Sequence, residues 1–189
     1  MVQISIDPLL NEAARLFLAG LLLASAAHKA RMRIAFTGTV AAYRLLPARL
    51  ARPFATILPL AEASVAFTLL LPGAAAAGGM SAAGLFALYF LAIAINLARG
   101  RTTIDCGCSL ARRGSGISFW HLVRLALLIG LAGAAGIMPA GRAMGLFDHV
   151  NAAAAVMALT MLYVAIELVL ANHTAMRPAA QDREAPADA

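Results

Sequence analysis

Polar residues are so sparse along this chain that the gaps between them define its elements. Five apolar runs stand out: about Leu9 to Ala27, Phe54 to Leu71, Ser81 to Ala98, Phe119 to Met138 and Val150 to Ala171. Each approaches the ~20 apolar residues that a helix needs to cross the hydrocarbon core of a bilayer. Pro72, Gly73 and the pair Gly78 and Gly79 mark a short turn between the second and third runs. The stretch from Pro139 to His149 is a second turn on the same side. The pattern predicts an all-α, polytopic membrane helix bundle with about five transmembrane helices. Residues 1–172 are expected to form a single transmembrane domain, and residues 173–189, rich in Pro, Ala and charge, a disordered tail.

The gaps carry the charge. His28 to Pro53 holds Lys29, Arg31, Arg33, Arg44, Arg49 and Arg52 without one acid. Within it Val40, Tyr43, Leu46 and Leu50 recur at helical spacing, which fits an amphipathic segment on the membrane surface or a re-entrant turn into the bundle. The gap from Arg99 to Ser118 holds Arg99, Arg101, Arg112 and Arg113 against Asp105. Two crossings separate the two basic gaps, so both fall on one side. The positive-inside rule makes that side cytoplasmic, with a periplasmic N-terminus and a cytoplasmic C-terminus. Leu16 to Leu23, followed by Ala24, Ser25 and Ala26, imitates a secretory signal, but Asp7 and Glu12 stand where a signal needs basic residues. An uncleaved first helix is expected.

Composition agrees with this pattern and excludes its rivals. The 189 residues are 62% hydrophobic and 13% charged, with a mean hydropathy of +0.82, more apolar surface than a soluble domain of this length can hide. The net charge of +6 comes from arginines between apolar runs rather than from a solvated basic face, so the expected partner is a lipid bilayer and not a nucleic acid.

Chemistry is confined to a few positions. Cys106 and Cys108 are the only cysteines, and Gly107 lies between them. A disulfide this local needs a sharp bend, which glycine permits. The ring so formed would be strained and ready to exchange. The four arginines favour thiolate, while Asp105 opposes it or accepts a proton. A dithiol centre, a soft-metal site short of ligands and an inert pair are all compatible with the spacing. Glu62 falls near the middle of the second run, where a carboxylate costs a few kcal/mol and by default marks function. It reads as a proton carrier or as the partner of a polar group on another helix, with Asn96 and Arg124 as candidates. Glu167 is close enough to a helix end to snorkel. Glu12 and Arg15 share a helix face and can pair. Gly130 with Ala134, or Ala132 with Gly136, can seat a neighbouring helix closely. The four histidines form no ligand spacing and no phosphate-binding glycine loop is present, so no cofactor and no metal is expected.

Taken together these residues resemble a known family. Tyr43, Arg44, Leu45, Leu46 and Pro47 in the first basic gap, Glu62 in the second helix, and Asn96 and Leu97 ending the third belong to the pattern. So do Gly100 and Arg101, then Ile104, Asp105, Cys106, Gly107 and Cys108, and Arg124 in the fourth helix. Over roughly residues 10 to 170 the chain is similar to the methylamine utilisation protein MauE family, although Ser109 stands where many members have Phe. The resemblance implies a DoxX-like four-helix core in a bacterial inner membrane. It also implies an accessory role in processing, transport or maturation of the methylamine dehydrogenase small (beta) subunit, beside a thioredoxin-like maturation protein. That subunit is periplasmic, whereas the arginines assign Cys106 and Cys108 to the cytoplasmic side. Access from outside through the bundle, a relay across it, or an inverted topology would each reconcile the two. Two other functions fit the same residues: a quinone-linked membrane thiol oxidoreductase, and a proton-coupled transporter using Glu62.

Overall fold

A computed structural model describes residues 6–104 and 116–181, the last twelve of these by backbone alone. Six helices follow one another: α1 (Pro8–Arg31), α2 (Arg33–Ala42), α3 (Ala48–Leu70), α4 (Ala75–Ala98), α5 (Phe119–Ala135) and α6 (Leu146–Gln181). Among the described residues there is no strand, only one isolated bridge between Ile6 and Pro139. α1, α3, α4 and the first 24 residues of α6 are long and apolar enough to cross a membrane. α5, with 17 residues, is apolar but shorter than these four. The chain is therefore a multi-pass membrane protein. At about 1.5 Å per residue the 24-residue helices are about 36 Å long, enough for a hydrocarbon core of about 30 Å.

α1 touches α3 and α5, and α4 closes the ring by packing on both α3 and α5. α6 lies outside this ring against α1. The core is built from small and aliphatic residues, among them Leu18 and Leu22 of α1, Ala66 and Leu69 of α3, Ala82 and Phe86 of α4, and Leu125 and Ala132 of α5. Close approach of α4 and α5 depends on glycine. A Cβ on Gly79 would lie 2.7 Å from the Ala132 carbonyl and closer still to the backbone of Gly136. The small pair that seats α4 is thus Ala132 with Gly136, while Gly130 faces open space.

Side chains near the start of α1 also satisfy the C-terminal ends of its neighbours. Asn11 donates to the carbonyls of Ala135 (3.1 Å) and Ile137 (3.0 Å), closing α5. Arg15 donates to those of Leu69 (2.7 Å) and Leu71 (2.8 Å), closing α3. Helix C-termini carry unsatisfied carbonyls and partial negative charge, so an amide and a guanidinium suit them. Arg15 therefore serves α3 rather than pairing with Glu12, which instead meets His149 at 3.4 Å.

Three boundaries differ from the apolar pattern. α4 begins at Ala75, so Gly78 and Gly79 lie inside the helix rather than in the turn, where their lack of a side chain lets Leu69 and Gly136 approach. The segment expected on the membrane surface or re-entering the bundle is α2, which ends before Tyr43. A turn through Arg44 (φ 48°) then leads to Pro47 and into α3. α6 runs ten residues beyond Ala171, because Ala175, Ala179, Ala180 and Gln181 favour helix. The expected tail is thus helical from 173 to 181, and 182–189 lie outside the described residues.

Candidate functional site

Two ion pairs sit inside the bundle. The first joins α1 to α3. Lys29 is 2% exposed and Glu62 0%, and the Lys29 ammonium bonds directly to Glu62 Oε1. Three donors converge on that one oxygen. Besides Lys29, Ser25 donates to it at 3.0 Å and Tyr89 of α4 at 2.6 Å. The ammonium also donates to Ser25 Oγ at 3.0 Å and Tyr89 Oη at 3.3 Å, and it lies over the rings of Tyr89 (4.7 Å) and Phe36 (5.3 Å). Glu62 Oε2 is buried with no hydrogen bond among the described residues.

Sequence and helix geometry explain this arrangement. α1 continues four residues past Ala27, so Lys29 belongs to the helix and not to the basic gap. Leu18, Leu22, Ser25 and Lys29 recur at intervals of four, three and four, on the stripe that faces the core. Side chains on a helix lean toward its N-terminus. Near the end of α1 this directs Lys29 into the bundle, the reverse of snorkelling.

The second ion pair joins α5 to α6. Arg124 and Glu167 are both buried and bond to each other. The Arg124 guanidinium also sits 5.6 Å from the ring of Tyr163, which meets Phe17 of α1 edge-on at 6.2 Å. Glu167 is therefore a buried partner rather than a snorkelling one.

The candidate intramembrane residues sort as follows. Glu62 is in the core as expected, but its partners are Lys29, Ser25 and Tyr89 rather than Asn96 or Arg124. The reason is register: Lys29 of α1 and Tyr89 of α4 reach the level of Glu62, whereas Arg124 is taken by Glu167. Asn96 is fully buried, and its Nδ2 turns back to the carbonyl of Ala92 at 3.0 Å. Its own carbonyl accepts from the Arg101 amide at 3.0 Å. Lys29, Ser25 and Tyr89 were not singled out by sequence. The one signal was that Lys29 is the sole lysine in a chain whose other basic residues are arginine.

Asp105, Cys106, Gly107 and Cys108 lie outside the described residues, as do Arg112 and Arg113. The chain on either side of them is described. Gly100 leaves α4 with φ 71°. Ile117 donates its amide to the Ile104 carbonyl at 3.1 Å, which brings the two flanks together. Gly116 fits there because a Cβ would strike the carbonyl of Thr102. Ser118 and His121 then form a reciprocal cap that opens α5, with Ser118 N donating to His121 Nδ1 at 3.1 Å.

A model of the methylamine utilisation protein MauE family matches residues 7–139, which include the Lys29–Glu62 cluster and the cysteine segment. The chain belongs to the MauE family. Among its curated relatives, the methylamine utilization protein MauE of Methylophilus methylotrophus is 37% identical over 87% of both chains. That of Methylorubrum extorquens is 40% identical over 83% of this chain and 86% of its own. That of Paracoccus versutus is 39% identical over 89% and 91%. No solved structure matches the chain. Membership in MauE ties the protein to methylamine utilisation.

Proposed function

We propose that the protein acts as an accessory membrane factor in maturing the small subunit of methylamine dehydrogenase, by thiol exchange through Cys106 and Cys108. The observation that carries the reading is the anchoring of their segment. Both flanks are bonded to backbone, at Asn96 and at Ile104, on a bundle crossed by two buried ion pairs. A fixed base suits a group that must meet a protein partner repeatedly. In this reading Gly107 permits the bend of the disulfide, the nearby arginines favour thiolate and Asp105 receives a proton. The partners are the small subunit itself and a thioredoxin-like maturation protein. The site is the bacterial cytoplasmic membrane, with the N-terminus periplasmic and both basic segments cytoplasmic.

Labelling intact cells with a membrane-impermeant maleimide, before and after reduction, tests the reading, with Cys106→Ser and Cys108→Ser as controls. Either serine variant is expected to stop disulfide-complete small subunit from accumulating while leaving the membrane protein at its normal level. Reactivity from outside only after reduction would invert the topology and strengthen direct exchange. Normal small subunit in both variants would remove the thiol role.

A further inference from the structure

The Lys29–Glu62 cluster does more than link α1 to α3, because Lys29 and Tyr89 of it form the end of a pocket. A cavity of about 200 Å³ lies between α2, the turn after it, α3 and α4. Lys29 lines it, together with four aromatic rings from Phe36, Tyr43, Phe54 and Tyr89. Two further lining residues, Leu45 and Leu88, are 37% and 44% exposed. They belong to the apolar outer surface, so a ligand enters from the lipid and not from water.

Three features limit what fits. Aromatic walls favour a flat ring, since planar π systems stack or meet edge-on. The opposite charges of Lys29 and Glu62 balance, so a neutral ligand suits the site better than an anion such as a fatty-acid carboxylate. The ammonium also has a hydrogen to give. Its contact with Tyr89 Oη is the longest of its three, at 3.3 Å, and that hydroxyl is already engaged by donating to Glu62 at 2.6 Å. Turning the third N–H toward a ligand oxygen leaves the Tyr89 hydroxyl still bonded to Glu62. The volume holds a substituted six-membered ring, and the partly exposed leucines offer an exit for a chain.

We propose that this pocket binds the carbonyl-bearing ring of a lipid-soluble quinone, with Lys29 donating to a ring carbonyl and the isoprenoid tail leaving past Leu88. The site does not depend on the role of the cysteines. A plain acyl chain would fill the same walls but would make no use of the ammonium.

The test is equilibrium binding of a decyl-substituted benzoquinone to the purified full-length protein in lipid nanodiscs. Decane-1-ol is the tail-only probe. The benzoquinone is expected to bind at least tenfold more tightly than decanol. Val40→Phe, which fills the pocket from α2, is expected to weaken it at least tenfold while thermal unfolding stays cooperative. Lys29→Arg, which keeps a donor and the charge, is expected to retain more affinity than Lys29→Met. Equal binding of the two probes would make the pocket an acyl-chain groove and overturn the proposal. Unchanged affinity in Val40→Phe would overturn it as well. Because Cys106→Ser with Cys108→Ser should bind the benzoquinone normally, failure of the thiol reading and failure of this one are distinguishable.

Discussion

The two ends of the bundle solve the same electrostatic problem in opposite ways. At the end that carries the N-terminus Arg142 bonds to Asp148 (2.9 Å) and Asp7 (3.1 Å), and all three groups remain in contact with solvent. Hydrogen bonds that Arg142 donates, to Asp148 first and Asp7 second, raise its pKa further above the ordinary value, so the guanidinium stays charged at any working pH. Deeper in the bundle, Lys29 with Glu62 and Arg124 with Glu167 are withdrawn from solvent. Exposed ion pairs contribute little, because water and salt screen them. Buried ones contribute little net stability as a pair, yet removing one partner strands the other. Position, more than partner chemistry, therefore decides which charges the fold depends on.

Breaking the inner pairs one partner at a time gives the sharpest contrast. Glu62→Leu strands the Lys29 ammonium and is expected to destabilise the protein by about 3–5 kcal/mol, read as a shift of reversible unfolding in mixed micelles. The double variant Lys29→Met with Glu62→Leu is expected to recover most of that loss. A double variant as unstable as the single one would mean that the pair itself, and not the stranded charge, holds α1 to α3. Glu167→Leu should strand Arg124 in the same way, at about 3 kcal/mol, and because α6 lies outside the ring it should also raise proteolysis of α6.

A packing change without charge comes next. Gly79→Val drives a side chain into the backbone of α5 and is expected to cost about 1–3 kcal/mol, whereas Gly130→Val, facing open space, should be nearly neutral. The smallest effect belongs to the exposed end. Arg142→Ala is expected to leave the unfolding midpoint almost unchanged, with or without added salt, and a large salt-dependent loss there would erase the contrast between the two ends.

The four long spans and the shorter apolar α5 were legible because a bilayer demands long apolar runs, and little else in a sequence imitates them. Glu62 was legible for the complementary reason, as an acid where none is expected. Its partner was not. Lys29 looked like the first charge of a basic gap, since the apolar run ends at Ala27 and nothing local shows that the helix continues to Arg31. Only the stripe running from Leu18 through Leu22 and Ser25 assigns Lys29 to the core face. Arg124 and Glu167 were each visible, but pairing them requires knowing that α6 lies against α1 beside α5, which depends on packing between distant segments. Asn11 was missed because an amide near a helix start usually meets water. Here it meets the carbonyl end of another helix.

The inward direction of Lys29 also bears on how the protein is made. Its acidic partner lies 33 residues later in the chain, so α1 can enter the bilayer before α3 is in place beside it. Until then a long amine at the end of α1 is free to extend toward the lipid headgroups. Arrival of α3 turns the same side chain around, exchanging phosphate for carboxylate. The first two crossings thus mature as a couple, with the lysine as a latch that closes only when both are inserted.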